Sequence, residues 1–165
     1  MMLELEELID TYGEKLLRYA TSILNNHQDA EDVVQDVFMS AYQNRASFDG
    51  QNLSAWLYKI TYNQSINKLR KRKFFIFGGI SENTAAPGNT ELSDGTLNAL
   101  SLLKPQDRAL LYARIMDGYN YEELSQQMNH SPTALRKRYE RAKKKLANHL
   151  GRSHKLKGAK NYEDA

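Results

Sequence analysis

Residues 120–146 read NYEELSQQMNHSPTALRKRYERAKKKL, and the punctuation inside this stretch decides how the second half of the chain folds. Asn120 followed three residues later by Glu123 has the form of a capping box, with Asn in place of the usual Ser or Thr. It opens a short helix from Tyr121 to about Met128. Asn129 tolerates the left-handed conformation that a tight turn needs. Ser131 then caps a second helix, with Pro132 in its first position. On that helix Leu135, Tyr139, Ala142 and Leu146 recur at helical spacing and make a stripe to be buried. Arg136, Lys137, Arg141, Lys144 and Lys145 must point away from it. A short helix, a turn of about three residues and a longer basic helix have the layout of a helix-turn-helix. In such motifs the first residues of the second helix reach base edges in the major groove, and later cations hold phosphates. Thr133, Arg136 and Lys137 are thus the candidates for reading bases, and Arg138, Arg141, Lys143, Lys144 and Lys145 for the backbone. A charged, solvated helix is the alternative.

Upstream, helical spacing recurs and period-2 alternation is absent. Leu5, Leu8, Ile9, Tyr12, Leu16, Tyr19 and Ile23 form one stripe; Val33, Val34, Val37, Phe38, Ala41 and Tyr42 form a second. Leu53, Trp56, Leu57, Ile60 and Leu69 form a third. The pattern breaks at FFIFGGISENTAAPGNT, 74–90, whose later residues have linker composition. Its apolar FFIF start is expected to pack on the first domain or on a partner. Leu110, Leu111, Ile115 and Met116 follow Pro105 at helical spacing until Gly118. The expectation is an all-α chain of two small helical domains, residues 1–73 and 92–150, joined by a linker over 74–91. A basic, disordered tail is expected over 151–165.

Charge is divided unevenly although the net value is only +3. Residues 1–49 carry ten acids and three bases, and 50–73 carry six bases and no acid. Residues 130–165 carry eleven bases and three acids. Two basic blocks beside an acidic one suggest two contacts with a polyanion and one surface meant for something else. In the first basic block, NLSAWLYKITYNQSINKLRKRK (52–73), cations are interleaved with Trp56, Tyr58 and Tyr62. Aromatic faces beside cations suit single-stranded nucleic acid; burial of these rings in the core is the competing reading. In DAEDVVQDVFMSAY (29–42), Asp29, Asp32, Gln35 and Asp36 lie opposite the valine face. Asp32 and Asp36 stand at i and i+4, where like charges repel, so the face is either solvated or a dock for a basic partner.

Catalysis is not expected. No phosphate-cradling glycine loop or nucleophile elbow is present, and the four His are not at metal-ligand spacing. Neither metal nor cofactor is implied. The absence of cysteine fits a reducing compartment, and no apolar run approaches the ~20 residues that cross a bilayer. The acidic start MMLELEELID is unlike a signal peptide, and a cytoplasmic location without membrane insertion is expected.

With both halves in view, the chain resembles an extracytoplasmic-function (ECF) sigma factor of the sigma-70 family. The resemblance rests on DAEDVVQDVFMSAY followed by SFDGQNLSAWLYKITYNQSINKLRKRK, and on LLKPQDRALLYARIMDGYNYEELSQQMNHSPTALRKRYERAKKKL, in that order across a linker. It implies that Asp29, Asp32, Gln35, Asp36 and Phe38 bind core RNA polymerase. It implies that Phe48, Asn52, Trp56, Tyr58, Lys59, Tyr62, Asn63, Arg70 and Arg72 contact the minus-ten element of promoter DNA and help to open it. Ser131, Thr133, Arg136, Lys137, Arg138, Arg141 and Lys144 would contact the minus-thirty-five element, and a separate anti-sigma factor would regulate the whole. Two departures stand out. PTAL occupies the place of the family's usual Gly-Thr-Val run, and Tyr139 stands where Leu is common, so promoter sequence does not carry over.

Overall fold

A computed structural model describes residues 4–77 and 94–163, with side chains over 4–73 and 98–152. Seven α-helices and a single 3-10 turn make up the described residues, without a strand. α1 (Leu5–Leu24) ends at Asn25, which adopts the left-handed conformation at φ 50°. The next residue, Asn26, accepts the Asp29 N–H at 3.0 Å and caps α2 (His27–Gln43). Two consecutive Asn residues thus fold α1 back on α2. A 3-10 turn (Arg45–Ser47) and a short loop lead to α3 (Leu53–Phe77). The second half comprises α4 (Asp94–Ser101), α5 (Pro105–Ile115), α6 (Tyr121–Met128) and α7 (Pro132–Glu163).

α1, α2 and α3 pack on one another through Leu16, Tyr19, Ile23, Val33, Val37 and Leu57, all nearly inaccessible. The second half does not stand apart. α5 lies on α1 and α6 on α3, so Ala109, Leu110, Ala113, Leu124 and Met128 join the same core. The small Ala109 and Ala113, one turn apart, let α5 approach closely. A smaller cluster of Leu103, Leu111 and Ala142 holds α7 on α5.

Arg108 fastens this seam. Its guanidinium donates to the carbonyls of Ser22 at 2.8 Å and Ile23 at 2.5 Å, and to that of Leu103 at 2.6 Å. Ser22 and Ile23 belong to the last turn of α1, where carbonyls lack helical partners and the helix dipole favours a cation. α1 has no basic residue of its own there, so Arg108 supplies the charge from the other half. Burial lowers its pKa, with Asp107 opposing.

Two helices run past the boundaries expected for them. The linker was placed from residue 74, but α3 continues through Phe77; the side chains of FFIF and residues 78–91 lie outside the described residues. The tail from 151 was expected to be disordered, but α7 continues to Glu163. That tail holds no proline, and Lys, Leu and Ala sustain a helix through Gly151 and Gly158.

Candidate functional site

α7 presents the densest set of free cations. The capping box is complete: Asn120 accepts from the Glu123 N–H, and Glu123 accepts from the Asn120 N–H, both at 2.9 Å. Asn129 is left-handed at φ 55°, and the Ser131 hydroxyl accepts the Ala134 N–H at 3.2 Å. With its turn fixed, α7 buries Leu135 and Ala142 and exposes Thr133, Arg136, Lys137, Arg141 and Lys144. Arg138 departs from the expectation. It donates to Asp107 at 2.6 Å and ties α7 to α5, so it is a structural tie rather than a free phosphate contact. Beside it opens a cleft of about 260 Å³ lined by Lys104, His130, Arg141 and Lys145. Lys104 lies outside the basic run and reaches the cleft because α5 folds against α7; His130 stands in the turn just before α7, where no run of cations drew notice to it.

On α2 the exposed face carries Asp32, Gln35 and Asp36. Phe38 is 5% exposed and packs in the core, so its side chain is not part of the exposed face of α2. Its neighbour Met39 is 55% exposed and lies in line with Asp32, Gln35 and Asp36. Asp29 is also engaged. It pairs with Arg72, while Lys68 lies 3.7 Å from Asp29 and 3.6 Å from Asp32. These ion pairs stitch the basic end of α3 to α2; Asp29 and Arg72 keep only 18% and 25% of their side chains exposed, whereas Asp32, 54% exposed, stays on the outer face of α2.

The loop before α3 is built on two contacts. Asn52, left-handed at φ 43°, accepts the Ala55 N–H at 3.0 Å and so caps α3 with the side chain expected to touch DNA. Phe48 stacks on Trp56 with ring centroids 5.0 Å apart, both half-buried. Along α3, Lys59, Asn63 and Arg70 are exposed. Tyr58 and Tyr62 are not: they are 1% and 7% exposed. Tyr58 stacks on Tyr19 at 4.7 Å and meets Tyr119 edge-on at 5.0 Å, and its hydroxyl donates to Asp117 at 2.8 Å. Ser54 and Tyr119 share a further hydrogen bond across the same seam. Both tyrosines are core residues in this arrangement, because α3 is covered by the second half as well as the first.

Burial sets the ionisation here. It pushes the Tyr58 and Tyr62 phenols above their usual range and the Tyr112 phenol up to about 12. It also raises the Asp117 carboxyl, against the opposing pull of the Tyr58 hydroxyl, Lys15 and Arg18.

The two halves match two models of one family. Residues 8–75 match Sigma-70 region 2, and residues 95–146 match Sigma-70, region 4. The chain belongs to the sigma-70 family. Its relatives place it in the ECF branch. It is 38% identical over 68 residues to the ECF RNA polymerase sigma factor SigW of Bacillus subtilis, covering 41% of this chain and 36% of SigW. It is 25% identical over 158 residues to the ECF RNA polymerase sigma factor SigE of Mycolicibacterium smegmatis, covering 89% of this chain and 62% of SigE. The chain thus spans less than two thirds of these two curated relatives. Among solved structures it resembles the sigma factor RpoE of Bartonella quintana, crystallised with the anti-sigma factor NepR. The TM-score is 0.78 at 25% identity, covering 88% of this chain and 96% of that one. The region 2 match thus falls on α1 to α3, and the region 4 match on α4 to the first half of α7. None of the described helices is long and apolar enough to cross a membrane.

Proposed function

We propose that this sigma factor divides the work of promoter-directed transcription among three surfaces. The exposed face of α2, with Asp32, Gln35, Asp36 and Met39, docks on core RNA polymerase. The Phe48–Trp56 corner and the exposed Lys59, Asn63 and Arg70 of α3 engage the minus-ten element. The start of α7 reads the minus-thirty-five element through Thr133, Arg136 and Lys137. Arg141 and Lys144 meet phosphates there, with Lys104, His130 and Lys145 from the adjoining cleft. The observation that carries this reading is the outward display of Arg136, Lys137, Arg141 and Lys144 on a capped helix whose turn is fixed at Asn129. Phosphate contacts of this kind release counterions, so binding falls steeply with salt.

The protein works in the cytoplasm as a specificity factor without catalytic activity of its own, and an anti-sigma factor controls it. The Bartonella RpoE–NepR complex supports that last point, since the two chains share a fold over nearly their whole lengths.

Core binding tests the division. Asp32→Ala with Asp36→Ala is expected to weaken affinity for core polymerase by about tenfold, a loss of ~1.4 kcal/mol. The circular dichroism spectrum should be unchanged, because both side chains are exposed. Undiminished affinity, measured by titration of labelled protein, would return this face to simple solvation.

A further inference from the structure

Tyr121, the first residue of α6, belongs to none of the three surfaces, yet two cations converge on it. The Arg114 guanidinium carbon lies 4.8 Å from the centre of its ring and that of Arg136 lies 5.3 Å away. Both distances are within the reach of a cation–π attraction. The two arginines are not equivalent. Arg114 is half-buried and donates to the Tyr119 carbonyl at 3.0 Å, so it is anchored. Arg136 is exposed on α7, with its guanidinium over the Tyr121 ring. Tyr139 meets the same ring edge-on at a centroid distance of 6.1 Å and an angle of 73°, which braces it from α7.

We propose that Tyr121 is a positioning residue for promoter specificity. Its ring holds the Arg136 guanidinium in place before DNA arrives, and so sharpens discrimination at one base pair. An exposed arginine samples many rotamers, and each must be given up when the guanidinium locks onto a base edge. A ring that already restrains it lowers that cost for the correct base. The planar fork of arginine matches the two acceptors of guanine in the major groove, so the favoured base is guanine. The inference rests on the reading that Arg136 contacts a base.

The test uses the full chain with core polymerase and a promoter library randomised across the upstream element, scored by sequencing the transcripts. Arg136→Ala should abolish preference at one position. Tyr121→Leu should cut preference at that same position roughly two- to fivefold, the weight of a cation–π contact at an exposed site. Other positions should keep theirs. Tyr121→Phe keeps the ring and should retain full discrimination. Tyr121→Met serves in the same role should the Leu variant fail to fold. Two outcomes overturn the inference while leaving the Arg136 reading intact: unaltered discrimination in the Leu and Met variants, or a uniform loss at every position that Phe does not rescue. No change on Arg136→Ala would instead remove the reading on which the inference stands.

Discussion

α3 and α7 are both long, basic and punctuated by tyrosines, yet they end in opposite environments. α3 touches α1, α2, α5 and α6, so its tyrosines are drawn inward. Tyr58 and Tyr62 are core residues, and Arg72 and Lys68 are spent on Asp29 and Asp32. α7 touches α4, α5 and α6, and its first turns leave Thr133, Arg136, Lys137 and Arg141 in solvent. Composition alone would rank the two helices as equal candidates for nucleic acid. How much of a helix's circumference its neighbours cover decides which cations remain free.

The seam between the halves produces this contrast, and the largest expected effect comes from breaking it at Arg108. Arg108→Met leaves the Ser22, Ile23 and Leu103 carbonyls without their charged donor. At 1–3 kcal/mol for each buried group left unpaired, the loss should reach about 3 kcal/mol or more. Urea denaturation monitored by circular dichroism would show it as a lower midpoint. An unchanged midpoint would mean that the seam contributes little to stability.

Next in size is Tyr58→Phe, expected to cost about 1–2 kcal/mol by removing the hydroxyl from the half-buried Asp117. Promoter opening, followed by permanganate footprinting, should survive in this variant because the ring faces the protein and not DNA. Burial of the Asp117 carboxyl carries a pH dependence that the Tyr58 hydroxyl opposes. Burial raises the folded pKa of Asp117 above its unfolded value, so the folded protein holds that proton more tightly. Stability supplied by the protonated form is present at acid pH and is lost as pH rises through the raised value. Asp117→Asn should flatten that part of the stability curve, in the window starting near the ordinary carboxylate value of ~3.9.

The smallest effects sharpen the comparison on α7 itself. Arg141→Ala should reduce the salt slope of promoter binding by about one and leave stability within ~0.5 kcal/mol. Arg138→Ala should do the reverse, lowering stability through the lost Asp107 tie and leaving the slope nearly unchanged. Thermal melts and filter binding across a salt series separate the two.

Local chemistry was the legible part. The Asn120–Glu123 box, the left-handed Asn129 and the Ser131–Pro132 start act within four residues of themselves, and each stands in the structure as read. The helical stripes likewise identified Leu16, Tyr19, Val37, Leu57 and Leu135 as core. What stayed hidden depends on contacts far apart in the chain. Tyr58 meets Asp117 and Arg108 meets Ile23 only after the halves close, and nothing in the spacing of either segment records the other. Phe38 is the opposite case: helical spacing placed it on the buried stripe, where it stands, and only the family resemblance offered it to core polymerase, while 100° of helix rotation brings its neighbour Met39 to the surface.

Multi-round transcription in vitro tests the central claim most directly, with core polymerase and a library of genomic fragments, in the presence and absence of this protein. The expected result is a set of discrete new start sites sharing two upstream elements, with sequence preference in the distal element altered by Arg136→Ala. Failure to generate any new start, together with tight binding of the free protein to duplex DNA, would contradict it.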